Sequence, residues 1–493
     1  MANNNNNNNL SESASGGKAS SDSGLQSTGE NESGQEKINK NRSYTKKQKI
    51  SLILCLTTQY FINVCASLPA PFLPKLNETH NIHSDITGWI LGLLPLTQLL
   101  LCPLFGKLIG TVSLKTILVS GIFFCGGSTV LFGLLALMPV PDPSDKQVDT
   151  VYLILAIILR ISQAMGSSAV FTAAMTCLTI SFTEQTTTIL SYSETVAGLG
   201  FMSGPAFGSG LYKAGGFLLV FTGVGGMLIV TSVVIGILLP EAGGSMDTGN
   251  SKSALKLLMH NLNILLALLL TAFIGTLWAS IETILEPELR TKYGLTQDLS
   301  ALVFLILSVT YTITAPLVGK ALDKLSCLNS LYVMVFGFLL HTVNFLFMGP
   351  SPMLGIERPL WLLLLTLGIL GIALGLTIVP SLDLLSFSDT ESENAEGNGG
   401  MDESSKALIS GFWSSAYSFG DFFGPTFSGI VTRHGSFGLT MTYYAIGCFA
   451  VAVIIILCVF YRLFSKRCHS CISSSYRESN DERRQLLHPE SVN

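Results

Sequence analysis

The chain has 493 residues, of which 48% are hydrophobic and 12% are charged, whereas an average soluble domain has roughly 25% charged residues. This composition argues against a soluble enzyme and favours a membrane protein, because twelve apolar spans of about 20 residues would use about half of the chain. The net charge of −4 gives no basic excess for nucleic acid, so no nucleic-acid partner is predicted.

Residues 1–45 are predicted to form a disordered cytosolic tail. They contain the run Asn3–Asn9, followed by Ser, Gly, Glu and Lys with almost no aliphatic residues. Such a segment buries too little apolar surface to offset its conformational entropy. The tail has no short apolar stretch of the kind found in cleavable signal peptides, so the first span is expected to act as its own insertion signal.

Twelve apolar segments then predict an all-α integral membrane protein. They run over about residues 51–74, 86–109, 115–138, 151–179, 189–212, 216–239, 261–286, 299–322, 328–348, 360–382, 408–431 and 439–462. Six spans form a predicted bundle over residues 46–239 and six form another over 261–462. A polar cytosolic connector, 240–260, separates the bundles, and a basic cytosolic tail, 463–493, follows them. The acidic segment 386–405 is expected to be a solvated loop.

Basic residues near the membrane ends predict that both termini are cytosolic. The short loops on the two sides carry equal numbers of Lys and Arg, so the tails decide the orientation. Three basic residues lie beside each tail, namely Lys46, Lys47 and Lys49 before the first span and Arg462, Lys466 and Arg467 after the last. The triplet that begins at Asn77 then falls on the opposite side, where Asn77 is a candidate for N-glycosylation.

The two halves of the chain contain matching segments in the same order. At an offset of 213 residues Pro103–Lys107 matches Pro316–Lys320, and at an offset of 220 residues Gly204–Phe207 matches Gly424–Phe427. The matched residues include Pro and Lys, which recur by chance less often than Leu. Because each half has an even number of spans, both halves share one orientation. This is the parallel repeat of transporters that rock about a central site.

Three motifs within about residues 46–465 make the chain resemble the major facilitator superfamily. Gly319–Lys324 is similar to its motif between helices 8 and 9, and Arg160–Gly166 is similar to the helix 4 motif of proton-coupled members. Gly200–Gly210 resembles the helix 5 motif of the antiporter branch. The resemblance implies two pseudo-symmetric six-helix bundles. It also implies coupling or gating roles for Arg160, Gly204, Pro205 and Asp323.

Ionisable residues inside spans are costly and are therefore functional candidates. Glu282 and Glu286 lie one turn apart on one helix face, where two carboxylates cannot both ionise easily. At least one is expected to hold a proton that competes with a cationic substrate. The alternative for Glu286 is that it marks the end of the helix and faces water.

Other polar residues in the spans have less specific interpretations. Asp421 lies midway along the eleventh span, and either it pairs structurally with Arg160 or it contacts protons and cations. Asn63 is a plausible cavity residue on the first span. Glu194 is expected to be an ordinary acid near a helix N-terminus, and His341 a hydrogen-bonded core residue.

A further resemblance concerns the seventh span. The segment Ser280–Leu289, which contains Leu285-Glu286-Pro287, is similar to the helix 7 signature of the vesicular amine transporter family. The aspartates of its monoamine and acetylcholine members are absent: this chain has Ile62 and Asn63 at the first place, and Gly375 and Ser414 at the other two. The pattern resembles the vesicular polyamine transporter-like branch. That resemblance implies proton-coupled antiport of polyamines or related organic cations into acidic vesicles, with Glu282, Glu286 and Asp421 as the acidic set.

The C-terminal tail contains a candidate address signal. Glu482, Leu486 and Leu487 match an acidic dileucine motif, which sorting adaptors read on proteins bound for secretory, synaptic or endolysosomal vesicles. Two alternatives stay open: a broad drug or monoamine exporter of the same superfamily, and a non-transporting receptor or scaffold. The sequence shows no catalytic nucleophile with its base, metal-ligand set or phosphate loop beside the predicted cavity. No enzyme activity, metal or cofactor is therefore expected, and the proton gradient would drive transport.

Overall fold

The computed structural model describes residues 44–141, 148–183, 185–240, 261–324, 327–349, 359–396 and 403–461. Every regular element in these ranges is a helix. The helices are α1 (Lys46–Thr79), α2 (Ser84–Ile109), α3 (Leu114–Leu134), α4 (Thr150–Ser181), α5 and α6 (together Thr186–Leu238), α7 (Leu262–Tyr293), α8 (Gln297–Leu322), α9 (Cys327–Met348), α10 (Leu360–Glu396), α11 (Glu403–His434) and α12 (Phe437–Tyr461). The predicted all-α class is confirmed. The connector and the dileucine motif lie outside the described ranges.

The described residues contain ten helices that are long and apolar enough to cross a membrane. One of them has 53 residues and is broken at Gly215 and Gly216, whose φ angles are −159° and 65°. The positive φ at Gly216 suits only glycine, and the break separates α5 from α6 where the sequence predicts. The polar helix α11 is not among the ten. With α11 and the division of the longest helix, the bundle has twelve helices.

The acidic segment between α10 and α11 differs from the prediction. A solvated loop is expected over residues 386–405, but α10 continues to Glu396 and α11 begins at Glu403. Charged residues lower the apolar signal without breaking a helix, because Glu has a high helix propensity. The apolar pattern therefore gives only the apolar part of each helix.

The contacts between the halves follow a two-fold pattern. Helix α2 packs against α11, and α5 packs against α8; weaker contacts join α4 to α11 and α5 to α10. Equivalent helices of the two halves differ by six in their number. When each helix is replaced by its equivalent, the contact of α2 with α11 becomes that of α8 with α5, and the contact of α4 with α11 becomes that of α10 with α5. The halves are thus related by an approximate two-fold axis, as the internal repeat predicts.

The glycine face of α5 allows close approach of α1. A Cβ at Gly200 would meet the carbonyl oxygen of Tyr60, and one at Gly204 would meet Ser67. Beside these glycines, the hydroxyls of Tyr60 and Ser203 are 2.9 Å apart and hydrogen-bonded. Small residues of this kind let helix backbones pack closely in a membrane.

We call the end of the bundle at which α1 begins the tail side, and the opposite end the far side. On the tail side Asp323 accepts hydrogen bonds from the backbone N–H groups of Thr187 and Thr188, at 3.1 and 3.0 Å. A carboxylate at a helix N-terminus satisfies free N–H groups and interacts favourably with the helix dipole. Asp383 on α10 accepts hydrogen bonds from the hydroxyls of Thr187 (2.6 Å) and Ser330. We call these contacts the tail-side clamp, because they join the halves.

We predict that Asp323→Ala loosens the tail-side clamp. Losing a cap of this kind costs about 1 kcal/mol, which shifts an equilibrium about fivefold. Distances between spin labels on the α2–α3 and α8–α9 connections should show a larger separated population. Asp85→Ala, at an exposed acid on the far side, is the control and should leave the distribution unchanged. An unchanged distance distribution in Asp323→Ala would show that these hydrogen bonds do not hold the two halves together.

A second network lies on the far side, between the end of α1 and the start of α4. The amide of Asn77 donates to Thr87 at 2.7 Å and accepts from the Tyr152 hydroxyl at 2.8 Å. His80 stacks on Tyr152 and lies 2.9 Å from the Asp149 carboxylate. Asn77 is fully buried, so its Nδ2 has no room for a glycan. Glycosylation of Asn77 stays a prediction that this burial disfavours, because a sequence triplet carries no information on burial.

The carboxyl of Asp149 in this far-side network has a lowered pKa. Burial alone would raise the pKa of Asp149, but hydrogen bonds from the Tyr152 N–H and from His80 outweigh it and lower the pKa from 3.8. A carboxyl with a lowered pKa stabilises the fold above its ordinary pKa and loses this effect only as the pH falls through the lower value. The contribution of Asp149 is thus retained in mildly acidic solution.

We predict that Asn77→Ala destabilises the protein by about 1–3 kcal/mol, because the Tyr152 hydroxyl loses its buried partner. The thermal midpoint of the purified protein should fall. Thr79→Ala is the matched control: it destroys the same triplet, but Thr79 is exposed and bonds only to the Leu76 carbonyl. Its midpoint and gel mobility should match those of the wild type. A glycosidase-sensitive mobility shift lost in Thr79→Ala would show that Asn77 is glycosylated after all.

Candidate functional site

A cavity of about 240 Å³ lies between the two halves of the bundle. Residues of α1, α2, α4 and α5 line it from the first half, and residues of α7, α8, α10 and α11 line it from the second. Most of its wall is apolar. Its ionisable residues are Arg160, Glu194, Glu282 and Asp421, together with the phenols of two tyrosines.

The three carboxylates lie on three helices. Glu282 on α7 and Asp421 on α11 are partly exposed, and Glu194 on α5 is 8% exposed. Helices α7 and α11 approach closely because Gly420 faces the backbone of α7. This brings Glu282 and Asp421 within electrostatic range of each other. The site therefore has an excess of acids over its one arginine, which favours a cation.

Aromatic rings form much of the remaining wall. Trp278 and Tyr311 have ring centroids 6.0 Å apart, and Tyr417 stacks with Trp413 at 5.8 Å. Trp278, Tyr311 and Tyr417 line the cavity. Their faces attract cations through the ring quadrupole. The sequence shows aromatic residues in these spans but does not show which of them face one cavity.

Arg160 is buried at the edge of the cavity, with 3% of its surface exposed. One terminal nitrogen donates to Gln163 Oε1 at 2.5 Å, and Gln163 Nε2 donates to Thr129 at 2.9 Å. Arg160 Nε has no hydrogen-bond partner among the described residues. No ion pair between Arg160 and Asp421 occurs among the described residues, so the first of the two alternatives for Asp421, a structural pair, is not formed in this conformation.

The structure brings together four of the predicted site residues. Glu282, Asp421, Asn63 and Arg160 all line the cavity, and the Asn63 amide donates to the Gln59 carbonyl at 2.8 Å. The predicted coupling and gating residues lie elsewhere: Gly204 packs on α1, Pro205 follows it in α5, and Asp323 belongs to the tail-side clamp.

Glu286 does not line the cavity. Its side chain is 36% exposed and pairs with Arg290, one turn later on α7, at 3.7 Å. An exposed pair of this kind contributes little to stability. This position agrees with the alternative in which Glu286 marks the end of the helix and faces water. A side chain four residues from Glu282 shares a helix face with it, but the cavity ends between the two.

Glu194 is the residue that the sequence interpretation misplaced. The sequence predicts an ordinary acid near a helix N-terminus. In the structure α5 begins at Thr186, two turns before Glu194, and Glu194 lines the cavity. The expected helix start at residue 189 hid this position. Asp383 is also absent from the predicted site, because it is the first residue after the predicted span 360–382, whereas α10 continues beyond it. His341 is a buried core residue near Thr377, at 3.4 Å, as expected.

Comparisons with known proteins identify the family to which this fold belongs. The Major Facilitator Superfamily model matches residues 55–400. The human MFS-type transporter SLC18B1 is 29% identical over 450 residues, which cover 90% of this chain and 93% of that protein. The mouse MFS-type transporter SLC18B1 is 28% identical over 392 residues, covering 79% of this chain and 82% of that protein.

Two solved structures are similar in fold. The proton:xylose symporter XylE aligns with a TM-score of 0.63 and 15% identity, over 85% of this chain and 97% of that one. The human organic anion transporter MFSD10 (TETRAN) aligns with a TM-score of 0.64 and 14% identity, over 83% and 100%. The family match and the full-length relatives show that this chain belongs to the Major Facilitator Superfamily and is a membrane transporter rather than an enzyme.

Proposed function

We propose that the protein is an antiporter that exchanges protons for polyamines or related organic cations by alternating access. One observation carries this proposal: three carboxylates and five aromatic side chains line one cavity between the halves, and one arginine is the only basic residue in its lining. A buried ionised carboxylate is costly unless a cation accompanies it. Protons and substrate cations therefore compete for the same carboxylates, which couples their movements.

The proposed orientation places the tail side in the cytosol and the far side in the lumen of an acidic vesicle. Support comes from the basic residues beside both tails and from the resemblance of the α7 signature to vesicular amine transporters. In this scheme residues 46–239 and 261–462 rock as two bundles about the connector. Residues 1–45 and 463–493 are cytosolic tails, and sorting adaptors read Glu482, Leu486 and Leu487.

The tail-side clamp would make the described conformation the one closed to the cytosol. Asp323 and Asp383 hold the start of α5 against α8, α9 and α10. A lumenal proton would then reach Glu282 or Asp421 and release the substrate cation. The subsequent opening of the clamp would return the protonated site to the cytosol, with α5 moving on α1 along its glycine face at Gly204 and Pro205. Arg160 would compensate the carboxylates while no substrate is bound.

A broader drug or monoamine antiporter is the second candidate. It is favoured by the aromatic wall, because Trp278 and Tyr311 can accommodate aromatic substrates as well as ammonium groups. The two candidates differ in whether spermidine or serotonin is taken up.

We predict that Glu282→Gln abolishes uptake while Glu286→Gln does not. Proteoliposomes with an acidic lumen should take up labelled spermidine; Glu282→Gln should reduce the initial rate at least about tenfold, the effect of about 1.4 kcal/mol. Glu286→Gln is the matched control on the same helix and should stay within about twofold, because Glu286 faces water beside Arg290. Equal loss in both variants would contradict the site geometry. Uptake of serotonin alone would favour the second candidate, and no flux of either would favour a receptor or scaffold.

We predict that Trp278→Leu raises the KM for spermidine about three- to thirtyfold, since a cation over an indole is stabilised by about 0.5–2 kcal/mol. Trp278→Phe keeps a ring and should lie between Trp278→Leu and the wild type. Concentration dependence of uptake measures both. An unchanged KM in Trp278→Leu would mean that the ring only packs and does not contact the substrate.

A further inference from the structure

Glu194 is a buried carboxylate for which the structure shows no partner. It is 8% exposed and lines the cavity. No hydrogen bond or ion pair to Glu194 occurs among the described residues. A carboxylate that is largely buried without a partner is costly, so its place at a cavity wall points to a ligand that binds it.

The face of α5 that carries Glu194 is turned towards the cavity. Ala197, Gly198 and Phe201, which follow it at helical spacing, also line the cavity. Gly198 packs against the Tyr311 ring, which a Cβ there would approach to 3.6 Å. Gly200 and Gly204 lie on a different face of α5, which packs against α1. The orientation of Glu194 therefore follows from the packing of its helix.

The carboxylates of the cavity are divided between the two halves. Glu194 belongs to the first half, and Glu282 and Asp421 belong to the second. The side chain of Tyr417 lines the same cavity and is within electrostatic range of all three. Arg160 is engaged with Gln163 and forms no ion pair with Glu194 in the described part of the chain.

We propose that Glu194 is the first-half anchor for the second ammonium group of a linear dication, whose first ammonium group binds Glu282 and Asp421. This inference rests on the proposed function only in taking the cavity as the substrate site. A dication compensates acids on both halves at once. A monocation compensates one side and leaves Glu194 without a partner. The cavity is thus selective for diamines and polyamines over monoamines of equal length.

The test measures binding and transport with matched pairs of amines. Purified full-length protein is titrated with putrescine and n-butylamine, and with cadaverine and n-pentylamine. The wild type should bind each diamine at least about tenfold more tightly than its monoamine. Glu194→Gln should weaken diamine binding about tenfold and change monoamine binding less than twofold. Glu286→Gln, the same change at a water-facing site, should affect neither.

Glu194→Asp keeps the charge but withdraws the carboxylate by one methylene. It should keep the preference for diamines over monoamines that Glu194→Gln loses. Because the carboxylate is farther away, it should also shift the preferred diamine towards the longer cadaverine. This variant keeps the test sharp if Glu194→Gln does not fold, which size-exclusion chromatography and the thermal midpoint will show. Equal weakening of monoamines and diamines in Glu194→Gln, or unchanged binding of both, would overturn the anchor. So would unchanged chain-length preference in Glu194→Asp.

Transport of the same amines separates the two proposals. Diamine-selective binding that depends on Glu194, without flux driven by a pH gradient, would leave the anchor standing and contradict the antiport function. Gradient-driven flux of diamines and monoamines alike, unaffected by Glu194→Gln, would support antiport and contradict the anchor.

Discussion

The desolvation of carboxylates between two helical bundles is the constraint on which this structure depends. Glu194, Glu282 and Asp421 lie around one cavity, where an ionised acid is stable only with a cation beside it. The bundle can tolerate them if a proton or a substrate cation is present at each stage. In the proposed antiport this cost couples the two cations, because removal of one requires the arrival of another.

The rest of the fold positions these acids between the two halves. Glycines bring α1 onto α5 and α11 onto α7, so that side chains from eight helices reach one small cavity. On the tail side, the carboxylate of Asp323 replaces the missing hydrogen-bond partners at the start of α5. A contact made of two hydrogen bonds to a helix end is strong enough to favour one conformation and weak enough to break during transport.

The sequence predicted the fold well because apolar length, glycine motifs and the internal repeat are properties of the chain itself. It also identified Glu282, Asp421, Asn63 and Arg160, because ionisable and amide side chains in apolar spans are rare. It could not separate Glu282 from Glu286, since both share a helix face and only the depth of the cavity distinguishes them. Glu194 and Asn77 pose a related difficulty: the start of one helix and the burial of the last turn of another depend on packing with distant segments.

The proposed function requires that protons and substrate cations exchange at this cavity. The most direct measurement is the lumenal pH of proteoliposomes loaded with acid and a pH-sensitive dye, followed after the addition of spermidine outside. Exchange of protons for spermidine predicts a spermidine-dependent rise in lumenal pH that is present in the wild type and absent in Glu282→Gln. Spermidine uptake without any proton efflux would contradict it.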